Sequence, residues 1–393
     1  MGVMAEASYR RQPRRSILRF AGLAFALALA GCQTMIPKAP PPAKAPPPVT
    51  LPSTGGLPED QMRNRVALLV PMTGPNAAVG QSIANAANLA ILDTGGSKIR
   101  VTTYDTGPGA GGAAARALAD GNKLFLGPLL AQDVRAVAGA AQKAGVPVIA
   151  FSNDASVAGN GTYLLGFSPS QSVERVVKYA RSKGATRFAG LVPTGIYGRN
   201  ASNALIKAAE SAGGSVVSMQ TYDRSPKALT NAIKALGTEQ GYDAVLIADS
   251  GRIAIQAAPL IRKGGSPGAR ILGTELWNAE SSLGSSPALS GAWYASVSDA
   301  MYQQLGNKYR ARFGKGPYRL ASLGYDAVLL TVRIAGDWKV GERFPVGKLA
   351  DPDGFAGVDG AFRFRRDGIA ERSLEVHQIG SGVVSPAPKG FGD

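Results

Sequence analysis

The sequence has few of the residue types that carry most enzyme chemistry. Its 393 residues include one cysteine, Cys32, and one histidine, His377. A single thiol gives no intramolecular disulfide, and a lone histidine gives neither a metal cluster nor a base paired with a nucleophile. We therefore expect a non-enzymatic protein without a cofactor, stabilised by burial of apolar surface.

Acidic residues are also scarce, since 27 of them face 43 lysines and arginines and leave a formal charge of +16. This balance favours contact with anionic surfaces such as lipid head groups and acidic cell-wall polymers. No basic run with interleaved aromatic residues is present, so nucleic acid is not an expected partner.

The N-terminal apolar run is short, with 11 residues from Phe20 to Ala30. A transmembrane helix needs about 20. The run follows several arginines and ends in Leu29-Ala30-Gly31-Cys32, which predicts a secretion signal over residues 1–31 and a lipid on Cys32. Small residues fit a peptidase cleft, and a thiolate accepts the diacylglycerol. The alternative is an ordinary signal peptide in which Cys32 is an inert thiol.

Two further features concern export and membrane attachment. The stretch Arg14-Arg15-Ser16-Ile17-Leu18-Arg19 resembles a twin-arginine signal, so twin-arginine and Sec export both stay open. Gln33 resembles the residue that sorts lipoproteins to the outer membrane in bacteria with two membranes, which implies its inner leaflet. Removal of residues 1–31 takes away five arginines and one glutamate and lowers the formal charge to +12.

Residues 32–60 form a proline-rich segment, with nine prolines between Pro37 and Pro58. Such a composition buries too little surface to fold, and it predicts a tether. At about 3.1 Å per residue in a polyproline II conformation, the tether reaches up to about 70 Å from the membrane. A linker with no function of its own has the same mechanics.

From Arg65 onward, short apolar runs alternate with segments of helical period, which predicts an α/β fold with parallel sheets. The length predicts two lobes. We expect lobe 1 to contain residues 61–167 and about 292–340, lobe 2 to contain 168–291 and about 341–380, and residues 381–393 to form a flexible tail. A hairpin is expected to pair Phe362-Arg363-Phe364 with Leu374-Glu375-Val376.

Small polar and charged residues follow the predicted strands directly. In parallel sheets that edge is where ligands bind, because turn amides and helix N-termini point into the crevice. We expect ligand contacts from such residues: Thr73, Ser152, Asn153, Tyr197, Asp249 and Glu275. Within this set, Glu275 and Asp249 would face a positive group of the ligand. Ordinary turns, with helix caps at Thr73, Ser152 or Ser250, are an equally good interpretation.

Two other motifs have simpler interpretations. Gly107, Gly109 and Gly112 form a GxGxxG pattern, but it follows the second strand and lacks the acidic residue of a dinucleotide site, which favours a turn. His377 lies in the last predicted strand and is interpreted as a surface or packed residue.

Several segments together resemble the type I periplasmic-binding-protein family, and in particular its leucine/isoleucine/valine receptors. They are the start Arg65-Val-Ala-Leu-Leu-Val-Pro-Met-Thr-Gly-Pro, then Tyr104-Asp105, Ala144-Gly-Val-Pro-Val-Ile-Ala, Tyr197-Gly198 and the terminal Gly-x-Phe-x-Phe. The resemblance implies two Rossmann-like lobes, joined by three crossovers, that close on a solute like a hinge.

The resemblance also implies roles for single residues. Tyr197 matches a tyrosine that contacts the ligand, and Glu275 falls where the receptors keep an acid for the ligand ammonium. Other positions depart from the pattern: Val79 replaces an aromatic lid, Leu129-Leu130-Ala131 replaces a serine-rich turn, and Asp154 replaces a threonine.

The Gly127-Pro128-Leu129 turn, the lipid anchor and the tether resemble a sister group, the penicillin-binding-protein activator lipoproteins. Two partners are therefore open besides a small amino-acid-like ligand. They are the permease of an ABC-type importer, for a periplasmic solute receptor, and a peptidoglycan synthase, for an activator that works through protein contact.

Overall fold

The computed structural model describes residues 62–238, 241–264, 266–388 and 391. The predicted signal segment, Cys32 and the proline-rich tether lie outside these described residues.

The described chain alternates strands and helices, as the sequence predicts. The strands are β1 (Asn64–Val70), β2 (Ile99–Asp105), β3 (Leu124–Leu126), β4 (Val148–Ala150), β5 (Thr162–Leu164), β6 (Arg187–Pro193), β7 (Ser215–Tyr222), β8 (Ala244–Ile247), β9 (Arg270–Gly273), β10 (Trp293–Ser296), β11 (Phe355–Gly357), β12 (Gly360–Phe364), β13 (Ala370–Arg372), β14 (Glu375–Gln378) and β15 (Gly382–Ser385). The helices are α1 (Ala77–Thr94), α2 (Ala110–Ala119), α3 (Ala131–Ala144), α4 (Pro169–Ser182), α5 (Ile196–Ser211), α6 (Pro226–Thr238), α7 (Gly251–Arg262), α8 (Ala300–Phe313) and α9 (Ala321–Ile334).

Lobe 1 is built on a five-stranded parallel sheet in the order β2-β1-β3-β4-β5. Strand β1 is buried from Val66 to Val70, as expected for a parallel strand covered on both faces. Alanines form the buried face of α2 and allow a close approach to the sheet. Helices α1 and α3 end at Gly95 and Gly145, whose left-handed φ values of 69° and 66° favour glycine.

Lobe 2 contains a seven-stranded sheet in the order β15-β14-β10-β9-β8-β6-β7. Strands β6 to β10 are parallel to one another, and β14 and β15 are added in antiparallel orientation. The predicted fold class, two Rossmann-like α/β lobes, is confirmed.

The sheets correct three of our expectations about the division of the chain. Residues 382–385 form β15 and pair with β14, so residues 381–393 are not a flexible tail throughout. Strand β10 pairs with β9 and β14 in lobe 2, so the chain returns to lobe 1 after Ser296 and not at 292. Residues 341–372 belong with lobe 1, because Phe355 and Phe362 pack in its core. Apolar alternation identifies a strand, but it does not say which distant strand is its partner.

The predicted terminal hairpin is half right. Its first arm, β12, pairs with β13, which follows the turn at Asp367 directly. The expected second arm, around Glu375, belongs to β14 and pairs with β10 of the other lobe. The second inward residue of β13 is the buried Arg372, so apolar alternation in the sequence favours Leu374-Glu375-Val376 instead.

Three crossovers join the lobes, as the family resemblance implies. They follow Leu164, Ser296 and Arg372, the ends of β5, β10 and β13. The first two leave from the carboxyl ends of parallel strands, and the third enters β14 opposite Ser296. Both sheets therefore turn their carboxyl edges toward the hinge.

Buried charges hold the crossovers together. Arg372 donates to the carbonyl oxygen of Leu165 at 2.6 Å, and Arg319 forms a 2.5 Å ion pair with Asp359. The side chain of Asp359 is fully buried, as is that of Asp326. Burial and the neighbouring Asp359 raise the pKa of Asp326 to about 7.

Candidate functional site

The carboxyl ends of four adjacent strands of lobe 2 bring polar side chains to one rim. Tyr197 follows β6, Arg224 follows β7, Asp249 follows β8 and Glu275 follows β9. These strands are neighbours in the order β9-β8-β6-β7. Three of the four residues were predicted from the sequence, and Arg224 was not.

Glu275 lies at the centre of a network of hydroxyl groups. Its carboxylate accepts hydrogen bonds from Ser172 of α4 and from the Tyr197 hydroxyl, the latter at 3.0 Å. Tyr197 also shares a 2.9 Å hydrogen bond with the hydroxyl of Thr274. Burial raises the pKa of Glu275, although these hydroxyl groups oppose the change. No cation of the chain neutralises Glu275 among the described residues, so this acid is suited to a positive group from outside.

Asp249 has a different environment, because the chain supplies its positive partner. One carboxylate oxygen accepts from the Tyr222 hydroxyl at 2.7 Å and from Nε of Arg224 at 2.8 Å, and the other accepts from the backbone of Ser250. We expected Asp249 to face a positive group of the ligand. The structure instead places Arg224 there, and the side chain of Asp249 is only 3% exposed.

In lobe 1, Thr73 is exposed and closely tied to the end of β2. Its hydroxyl donates to Asp105 at 2.7 Å, and the backbone of Met72 donates to the same carboxylate at 2.7 Å. Gly107 fits beside Thr73 because a Cβ there would lie 2.3 Å from the threonine oxygen. The GxGxxG segment therefore forms a close turn, as the simpler interpretation predicts.

The other lobe 1 candidates follow β4. Asn153 is exposed, whereas Ser152 is buried and its hydroxyl accepts from the backbone of Asp154 at 3.1 Å. Asp154 in turn binds Ser156 and, at 2.9 Å, Arg135 of α3. Burial raises the pKa of Asp154, but the hydrogen bonds from Ser156 and Arg135 outweigh it and lower the pKa overall.

The six predicted residues thus fall into two groups. Tyr197, Asp249 and Glu275 share the rim of lobe 2, while the others lie at two places along the edge of lobe 1: Thr73 after β1, and Ser152 and Asn153 after β4. Within the described part of the chain, no hydrogen bond or ion pair joins the two groups. Arg224 was not among the predicted residues, although its position just beyond a strand, β7, is the same signal that identified the others.

His377 packs within the sheet of lobe 2. Its ring stacks on Tyr294 at 4.9 Å, and burial lowers the pKa of the imidazole. Both residues line an open groove of about 440 Å³ beside Trp277 and Asp299. The interpretation of His377 as a packed strand residue is confirmed.

The described residues contain neither a cluster of potential metal ligands nor a helix that could span a membrane. Across residues 62–238, 241–264, 266–388 and 391, there is no group of three or more His, Cys, Asp or Glu side chains placed to hold a metal ion. None of the helices in these ranges is long and apolar enough to cross a membrane.

Comparison with known proteins gives one partial match among curated sequences. An uncharacterised protein of Rickettsia prowazekii is 25% identical over 178 residues, which is 45% of this chain. The chain spans about half the length of that relative, 48%.

Solved structures match over a larger part of the chain. A leucine binding protein, LivK, from Thermotoga maritima has a TM-score of 0.62 and 20% identity, covering 82% of this chain and 98% of its own. A solute binding protein of an ABC transporter from Rhodopseudomonas palustris, in complex with 3,4-dihydroxybenzoic acid, has a TM-score of 0.65 and 19% identity, with coverages of 83% and 96%. These structures show the fold.

The family comparison covers nearly all of the described chain. A family model described as periplasmic binding protein matches residues 64–382, from the first strand of lobe 1 into β15. That range contains both sheets, all three crossovers and both halves of the candidate site. The chain belongs to the periplasmic binding protein family, with the type I fold that its sequence resembles.

Proposed function

We propose that the chain is a non-enzymatic solute receptor that captures a small amino-acid-like ligand by hinge closure and presents it to an ABC-type importer. The observation that carries this proposal is the rim of lobe 2. Among the described residues there, Glu275 has no neutralising cation from the chain, and the phenol of Tyr197 and the guanidinium of Arg224 stand at the same edge of the sheet. Concave sites with a few converging polar groups are typical of small-molecule binding.

The ligands of related folds support a small organic acid. A branched-chain amino acid transporter protein from Streptococcus pneumoniae, with a TM-score of 0.60, was crystallised with isoleucine. A Rhodopseudomonas palustris solute binding protein with a TM-score of 0.62 was crystallised with benzoate. Both ligands are small and carry a carboxylate.

In this proposal the carboxylate of Glu275 pairs with the ligand's amine. Tyr197 positions the Glu275 side chain through its hydrogen bond. On the other side of the cleft, Thr73 supplies a hydroxyl group and Asn153 supplies an amide group. Thr73 and Asn153 are exposed, whereas the buried Ser152 contributes mainly by shaping its turn.

A thermal-shift screen of the full-length chain, purified in detergent, tests the function. Amino acids and cell-wall fragments are the probes. One compound at 100 times its dissociation constant adds about 2.7 kcal/mol to the free energy of unfolding and produces a clear shift. The absence of a shift with every compound would contradict a solute receptor.

Calorimetry then tests Glu275 with the compound that the screen selects. We expect Glu275→Ala to weaken the binding of an amine-bearing ligand at least tenfold. Glu174→Ala is the matched control, because Glu174 is an exposed glutamate of α4. Unchanged affinity in Glu275→Ala would remove Glu275 from the site.

Attachment to the membrane is part of the proposal. We place the protein in the periplasm, anchored through a lipid on Cys32 to the inner leaflet of the outer membrane. Cell fractionation tests this placement, since Cys32→Ser is expected to move the protein from the membrane to the soluble fraction. Unchanged fractionation would contradict the anchor.

A second function is favoured by the predicted tether, because nine prolines between Pro37 and Pro58 predict an extended segment. In this alternative the chain is an activator lipoprotein that stimulates a peptidoglycan synthase by direct contact. A pull-down on purified synthases discriminates the two. Capture of a synthase together with a flat thermal-shift screen would support the activator.

A further inference from the structure

Arg224 has an unusual backbone conformation for its residue type. Its φ is +68°, and among the described residues Asn160 is the only other non-glycine with a positive φ. Side chains other than glycine, asparagine and aspartate adopt this region at a cost, and such strain concentrates at binding sites. The conformation places Arg224 immediately beyond β7, at the rim that holds Tyr197 and Glu275.

The side chain of Arg224 is held through Nε, and the end of its guanidinium is exposed. Nε donates to the buried carboxylate of Asp249 at 2.8 Å, and Tyr222 donates to the same oxygen at 2.7 Å. The side chain of Arg224 is 52% exposed, and its two terminal nitrogens make no hydrogen bond or ion pair within the described part of the chain. A guanidinium held in this way still presents two parallel donors, which match a carboxylate.

We propose that Arg224 is the carboxylate-recognising residue of the cleft and that Asp249 is its positioning residue. This inference rests on the proposed function, and it narrows the ligand to one with a carboxylate. It also assigns the ends of an amino acid, with the carboxylate on Arg224 and the amine on Glu275. The groups that face Arg224 are Asp249, Tyr222 and Tyr197. Asp249 balances the single charge of Arg224, so the exposed end of the guanidinium would recognise a carboxylate through its N–H donors and not through a net positive charge.

Calorimetry on the full-length chain tests the assignment with two acids, L-isoleucine and benzoate, and with their amides, isoleucinamide and benzamide. We expect the wild type to prefer at least one acid over its amide by tenfold or more. In Arg224→Asn, whose new residue tolerates the left-handed backbone, that preference should fall to less than threefold. Arg224→Lys should keep part of it, because it retains the charge but loses the paired donors.

Arg135→Gln is the matched control, since Arg135 is equally exposed beside a buried aspartate of lobe 1. It should leave the preference for acid unchanged. A preference for acid that survives in Arg224→Asn would overturn the inference, as would a wild type that binds amines or sugars but neither acid. Those results leave a solute receptor intact, whereas a wild type that binds no solute in the wider screen contradicts the proposed function as well.

Discussion

Each lobe places a half-exposed arginine on a buried aspartate, and the two pairs use the arginine differently. Arg135 and Arg224 are 53% and 52% exposed, and their partners Asp154 and Asp249 are 7% and 3% exposed. The terminal Nη2 of Arg135 donates hydrogen bonds to Asp154 and to the hydroxyl of Ser156, both at 2.9 Å. Among the described residues, Arg224 uses only Nε for such a contact.

The difference follows from where each arginine originates. Arg135 projects from α3 and fastens the short loop after β4 to that helix. Arg224 stands in the turn after β7. Its side chain extends past the end of β6 to the end of β8, where it binds Asp249. The two pairs have similar burial and similar distances. The Arg135–Asp154 pair nevertheless fixes a loop, whereas the Arg224–Asp249 pair leaves the end of the guanidinium exposed.

The largest expected effect is a difference between Asp249 and Asp154 in how much each contributes to the free energy of unfolding. Asp249→Ala leaves Tyr222 and the backbone of Ser250 without an acceptor, and we expect the free energy of unfolding to fall by about 3 kcal/mol. Asp154→Ala, the control, should cost about 1 kcal/mol because its donors reach solvent. Urea unfolding followed by tryptophan fluorescence measures both, and equal losses would contradict the distinction.

Glu275 gives the next effect, and it depends on pH. Because burial raises its pKa in the folded state, the wild type loses stability as pH rises from the unfolded value near 4.5 through the higher folded value. Glu275→Gln removes that loss. In urea unfolding it should match the wild type at pH 4 and be more stable than the wild type at pH 8. A constant difference between the two pH values would contradict a raised pKa.

Asp154 in lobe 1 should show the opposite sign. Its folded pKa is lowered, so its contribution to stability is present above pH 3.8 and is lost as pH falls through the folded value. We expect Asp154→Asn to be less stable than the wild type by about 1 kcal/mol at pH 7 and equal to it near pH 2. Thermal unfolding across this range checks the sign, and a difference that grows toward acid pH would contradict it.

The smallest effect is expected at Arg135. An exposed ion pair contributes little, so Arg135→Gln should lower the free energy of unfolding by about 0.5 kcal/mol. Urea unfolding measures this loss. A loss as large as that of Asp249→Ala would mean that the lobe 1 pair is also fixed by burial.

Local patterns were enough for most of the fold. Helix α3 is one of the segments of helical period, with Val134, Val137 and Ala141 on its buried face and Gly145 directly after its last residue. The assignment of β10 to lobe 1 was wrong, since its partners include β14, some 80 residues later in the chain. Pairing over such separations has no local signal in a single sequence.

The site was predicted in part, from the rule that ligands bind at residues that directly follow the carboxyl ends of parallel strands. That rule placed Tyr197, Asp249 and Glu275 on one rim, and their contact with a ligand stays a prediction. It did not reveal that Asp249 already holds Arg224, because a positive φ and a cross-strand ion pair are properties of the folded backbone. The resemblance to amino-acid receptors gave Glu275 its proposed partner, but it gave no role to Arg224.

The path of the chain between the lobes has a consequence for biosynthesis. Strand β14 completes the sheet of lobe 2, and β12 adds phenylalanines to the core of lobe 1, so both lobes await residues made late in translation. A nascent chain therefore leaves the ribosome almost entirely before either half reaches its native packing. A premature stop ahead of Gly360 would damage the two halves together and leave no intact half behind.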